Sequence, residues 1–184
     1  MKQILVLSLI FFQFISASGQ EEKTTIGFLM DNENIERWKK DKSVFIEEVN
    51  KLGGEVLVEV AQSDAQKQYD QAVQLIEKGV DVLVIIPVDM QKAALIGTKA
   101  FEARIPVISY DRLIKNSPLA FHITTNNIEI GELQANYLYQ IKGKGSYVLI
   151  TGPASDNNAG LLRKGWYNIL QPAIDKQEIK IVKD

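Results

Sequence analysis

At 184 residues the chain is long enough to bury a sizeable core. It carries 21 Lys and Arg against 23 Asp and Glu, a net charge of −2, and lacks the basic excess on which nucleic-acid binding draws. With no cysteine and one histidine, His122, it excludes disulfides, Cys-ligated metals and multi-histidine metal sites, and it shows no cofactor motif.

The first 19 residues read as a secretory signal. Lys2 precedes an apolar run from Ile4 to Ile15, and Ser16-Ala17-Ser18-Gly19 places small residues before a cut at Gln20. The run is too short to span roughly 30 Å of hydrocarbon. A lipid-modified cysteine at the cut is excluded, so the expectation is a protein free in the periplasm, without direct membrane insertion.

Strand and helix patterns then alternate. Thr25–Met30 reads as a buried parallel strand, and Arg37 to Leu52 as a helix with an apolar stripe of Trp38, Val44, Phe45, Val49 and Leu52. Gly53-Gly54 closes it. Glu55–Ala61 is the second strand. Asp64 caps a helix ending at Lys78-Gly79, and Val82–Ile86 is the third strand. A helix from Met90 to Arg104 leads to a fourth strand at Val107–Tyr110. After a turn-rich connection, Phe121–Thr125 is extended, and His122 within it reads as a packed or surface side chain rather than a catalyst. A helix from Gly131 to Tyr139 should bury Leu133, Tyr137 and Leu138. Tyr147–Thr151, a helix from Ala159 to Ile174, and Ile179–Val182 complete the pattern. These are βαβ steps, which right-handed crossovers turn into parallel sheets flanked by helices. The lobe boundary is expected near Thr124–Asn127, giving one α/β lobe over 20–123 and the start of a second over 124–184. Each is thin for an independent sheet, and the last strand has no following helix to cover it, so the expectation is a C-terminally truncated chain.

Four polar clusters follow strands: Glu36-Arg37-Trp38, Pro87-Val88-Asp89, Tyr110-Asp111-Arg112 and Asp156-Asn157-Asn158. In open α/β sheets the strand carboxyl ends share one crevice, where ligands bind. Asp, Asn and Arg hydrogen-bond hydroxyls, and Trp offers a flat apolar face, so the combination suits a sugar. Each residue also has a plainer reading. Trp38 fits the core stripe of its helix, and periodicity slightly favours that role. Asp111 and Arg112 could form a surface ion pair, Asp89 a helix cap, and one of Asp156, Asn157 and Asn158 another cap. The segment from Gly152 to Gly160 matches neither a phosphate loop nor a dinucleotide fingerprint.

Five motifs, ERWKKD (Glu36–Asp41), GVDVLVIIP (Gly79–Pro87), YDR (Tyr110–Arg112), GELQA (Gly131–Ala135) and DNNA (Asp156–Ala159), give the chain its family likeness. It resembles the type I periplasmic sugar-binding proteins of ABC transporters, and within them the branch that binds D-xylose. YDR is shared across pentose and hexose binders, while ERW with DNNA is more specific to xylose. The resemblance implies two Rossmann-like lobes closing on a monosaccharide, D-xylose or a related pentose, in a monomer that delivers it to a membrane permease. Arg37, Asp111, Arg112 and Asn158 are implied hydroxyl ligands and Trp38 a stacking aromatic, with Asp156 and Asn157 weaker members. A sensor contacting a histidine kinase or chemoreceptor uses the same fold and site. A glycosidase reading of Asp111, Asp89 and Asp156 is weakest, because Arg112 beside Asp111 opposes the raised pKa a general acid needs.

Overall fold

A computed structural model describes residues 23–184, so the expected signal lies outside the described residues. The first five strands, β1 (Thr25–Met30), β2 (Glu55–Val60), β3 (Val82–Ile85), β4 (Val107–Tyr110) and β5 (Phe121–Ile123), form one parallel sheet in the order β2-β1-β3-β4-β5. In that order the chain reverses direction of growth between β1 and β3, the kind of switch point beyond whose strand ends ligands bind in open α/β sheets.

Side-chain alternation along the strands divides the core. Leu29, Leu83, Ile85 and Val107 face α2 (Ala65–Glu77) and α3 (Met90–Glu102), packing on Leu75, Ala93 and Ile96. Phe28, Met30, Val84 and Ile86 face α1 (Glu36–Lys51) and enclose Trp38. The Phe28 and Phe45 rings meet with centroids 4.8 Å apart. Asp64 and Asp89 cap α2 and α3, each carboxylate accepting two backbone N–H groups. Two members of the expected α1 stripe are not core: Val44 is exposed on the helix, and Leu52 is exposed because the helix ends at Lys51 and Leu52 is its C-cap.

The second unit pairs β6 (Gly145–Val148) with β7 (Ile179–Lys183) in parallel beneath α4 (Asn127–Lys142) and α5 (Asn157–Asp175). The ladder starts two residues before the expected Tyr147–Thr151. Helix α4 also departs from expectation, since Leu133 and Tyr137 are 62% and 67% exposed. Its buried residues are Asn127, Gly131 and Ala135, a face of small side chains. That face lets α4 and α5 approach closely where Gly131 meets Gly165. A Cβ on Gly165 would overlap the Ile128 carbonyl oxygen and lie 2.8 Å from the Glu132 nitrogen. Gly165→Ala should therefore destabilise by about 1–3 kcal/mol. Gly160→Ala, in open space on the same helix, should be neutral or stabilising by up to about 1 kcal/mol. Thermal melts of the two variants check this, and equal midpoints would contradict it.

Candidate sugar site

The crevice beyond β1, β3 and β4 is built around Arg112. Its backbone is pinned by a tight turn: Ser109 Oγ donates to the Arg112 carbonyl at 2.5 Å and accepts from the Ile114 N–H at 3.1 Å. The Asp111 N–H donates to Ile123 O at 2.8 Å, and Asp111 takes a positive φ of 64°, a conformation Asp tolerates better than most residues. Asp111 and Arg112 thus leave the strand, and beyond its carboxyl end their side chains meet Arg37, Asn158 and Asp31.

The guanidinium of Arg112 is held from several sides. Nη1 donates to Asp31 Oδ2 at 2.7 Å and to the Pro87 carbonyl at 3.0 Å, and Nε lies 3.3 Å from Asp156 Oδ2. Its carbon sits 4.9 Å from the centroid of the Trp38 ring. Asp111 carries a second cluster. Arg37 Nη2 donates to its Oδ2, and Asn158 Nδ2 donates to its carbonyl at 3.0 Å and to Oδ1 at 3.2 Å. Six of the expected residues, Arg37, Trp38, Asp111, Arg112, Asp156 and Asn158, therefore meet in one place although they span 121 positions of sequence.

The plainer readings also hold for some of them. Trp38 is 2% exposed and forms a floor under Arg112 instead of an open platform. Asp156 caps α5 through the Asn158 N–H at 2.9 Å while its other oxygen faces Arg112. Asp89 is engaged in its helix cap, and among the described residues Asn157 makes no hydrogen bond to the cluster. Two buried polar atoms of the site, Trp38 Nε1 and Asn158 Oδ1, have no hydrogen-bond partner among the described residues. Unpaired buried groups are costly and are satisfied by water or ligand.

Sequence reasoning missed two supports. Asp31, immediately after β1, is buried beside Arg112, in the same position relative to its strand as Asp111 is to β4. Gln68 is buried on α2, where it donates to the Ile86 carbonyl at 2.9 Å and accepts from the Val88 N–H at 3.0 Å, shaping the loop that presents Pro87. Gln68, Ala72 and Leu75 fall at i, i+4 and i+7, so a polar residue on the buried face was the available signal. His122 is exposed, its Nδ1 lying 3.2 Å from the Ser109 carbonyl, away from the cluster's hydrogen bonds. Among the described residues no group of three or more His, Cys, Asp and Glu is placed to hold a metal ion, and no helix is long and apolar enough to cross a membrane.

Electrostatics extend the cluster along α1. Burial alone would lower the Arg37 pKa, but hydrogen bonding and charge from Asp111, with Asp41, hold it above the ordinary value. The Tyr110 hydroxyl donates to Asp41 Oδ2 at 2.8 Å, and burial followed by this bond pushes its pKa up to about 12. The folded state keeps this phenol neutral beyond the unfolded value of about 10. Its contribution is intact below that pH and lost as pH rises through about 12. Tyr110→Phe should flatten the decline of melting temperature over that alkaline window relative to the parent. Parallel declines would contradict the coupling.

The family model for the periplasmic binding protein domain matches residues 26–184. The D-xylose-binding periplasmic protein of Haemophilus influenzae is 38% identical over 169 residues, 92% of this chain and 51% of its own length. A carbohydrate transporter solute-binding protein from Chloroflexus aurantiacus, solved in complex with D-glucose, superposes with a TM-score of 0.78 at 34% identity, covering 85% of this chain and 47% of its own. The fructose-binding periplasmic domain of a hybrid two-component system superposes with a TM-score of 0.76 at 27% identity, over 86% of this chain and 52% of that one. The chain spans about half the length of the curated relatives it matches.

Proposed function

Because the chain belongs to the periplasmic binding protein family, we propose that it forms the sugar-gripping part of a periplasmic solute-binding component of an ABC transporter. The ligand is a monosaccharide, D-xylose above others. The observation that carries this reading is the convergence of Arg37, Asp111, Arg112 and Asn158 at the strand ends. Carboxylate, carboxamide and guanidinium together both accept from and donate to vicinal hydroxyls. Asp156 supports the Arg112 guanidinium, and Trp38 gives the crevice an apolar floor. Residues 20–123 and 124–184 contribute to two lobes that close on the sugar, which favours the closed state because it touches both lobes there. Binding rather than turnover fits the site, since every carboxylate in it already faces a guanidinium or caps a helix. The preference for D-xylose rests on the 38% identity to the H. influenzae protein.

Titration calorimetry of D-xylose, D-ribose and D-glucose against a protein carrying these residues at the relatives' full length tests the reading. Saturable heat with D-xylose, at an affinity at least about tenfold above the other two, is expected, a gap of about 1.4 kcal/mol. Absence of heat with all three sugars would overturn it. The likeness to the two-component periplasmic domain favours a second reading, a sensor that presents bound sugar to a kinase. Adjacent permease and ATPase genes support transport, and an adjacent kinase gene supports sensing.

A further inference from the structure

Asp31 is a buried carboxylate outside the set of sugar-facing residues, and its surroundings are built with unusual care. It is 4% exposed, yet it carries a hydrogen bond from Ser63 Oγ at 2.9 Å besides the one from Arg112 Nη1 at 2.7 Å. Ser63 reaches it through a turn in which Gln62 and Ser63 both take positive φ, 57° and 62°. Two successive non-glycine residues in that conformation are disfavoured and persist only where surrounding contacts impose them. The Ser63 N–H also bonds to the Asp31 carbonyl at 3.0 Å, and Asn32 Nδ2 donates to Ser63 Oγ at 3.1 Å. The turn after β2 is thus tied to the turn after β1 around one carboxylate.

The consequence lies in how the Arg112 donors are divided. Nη1 is used by Asp31 and the Pro87 carbonyl, and Nε faces Asp156. Among the described residues Nη2 has no acceptor. A guanidinium is planar, so fixing Nη1 and Nε fixes where the remaining N–H pair points. We infer that Asp31 is a positioning residue that holds Arg112 over the Trp38 ring, so that its Nη2 hydrogens are presented to sugar hydroxyls before the ligand arrives. This inference rests on the sugar-binding reading. It adds a residue that does not touch the sugar but sets the affinity of the one that does, by removing the need to order Arg112 on binding.

The test is Asp31→Asn in a protein carrying these residues at the relatives' full length, because asparagine keeps the size and one acceptor while removing the charge. D-xylose affinity should fall by about tenfold or more, the scale of one charge-assisted hydrogen bond. The Arg112 Nε–H, which faces Asp156 at 3.3 Å in the parent, should exchange faster with water and its resonance broaden. A role in packing alone would lower the melting temperature and leave that resonance in place. Ser63→Ala, which removes only one donor to the carboxylate, should cost about threefold in affinity and serves if Asp31→Asn does not fold. Sugar affinities within about twofold of the parent in both variants would overturn the inference while leaving the sugar site standing. A parent that takes no sugar overturns both.

Discussion

Asp111→Asn is expected to abolish high-affinity sugar binding while leaving the fold intact. Asparagine tolerates the left-handed backbone that position 111 requires, with φ at 64°, so the substitution isolates the charge. The carboxylate is the one negative group in the cluster that both Arg37 and Asn158 address, and a hydroxyl pair would share its two oxygens. A hydrogen bond to a charged group contributes about 1.5–3 kcal/mol, and two of them at the lower figure amount to over a hundredfold in affinity. Calorimetry with D-xylose reads this directly, and a loss smaller than about tenfold would show that Asp111 is not a principal ligand. The variant also removes the charge that Arg37 pairs with at position 111 and leaves it Asp41, so salt dependence of any residual binding should differ from the parent.

The second large effect is on stability. Trp38→Ala removes an indole packed against Phe28, Met30, Val84 and Ile86, and truncating a buried aromatic costs about 3–5 kcal/mol. A domain stable by about 5–15 kcal/mol loses much of its margin. At about 2–4 °C per kcal/mol, the midpoint should fall by roughly 10 °C. Trp38→Phe, which keeps an apolar ring under Arg112, should cost less than half as much. A Trp38→Ala midpoint within about 3 °C of the parent would contradict the core assignment. Any sugar affinity that survives in Trp38→Phe separates the floor role from direct stacking.

Much of this was legible in the sequence, for reasons that differ by element. Thr25–Met30 and Val107–Tyr110 match their strands residue for residue because each is a run of only six or four residues, largely apolar, which is strand length and too short for a helix. Asp64 as a cap and the clusters after β1, β3 and β4 followed from position alone. Helix α4 was read by its large apolar residues, yet it packs through Gly131 and Ala135, whose value lies in what they omit and so leaves no hydrophobic signal. Its start was placed late for a related reason, since Asn126 caps it through the Glu129 N–H and Asn127 is buried. In β6, Gly145 and Ser146 look like a turn but pair with Ile179 and Lys180, because β7 imposes a register that local propensity opposes. Asp31 escaped because a lone acidic residue after a strand is common; only its burial beside Arg112 distinguishes it.

The most direct test is a crystal structure of D-xylose bound to a protein carrying these residues at the relatives' full length. One pyranose should lie above Trp38 and Arg112, with hydroxyls within hydrogen-bond reach of Arg37, Asp111 and Asn158. A bound sugar seated elsewhere, with none of those five side chains in contact with it, would contradict the account.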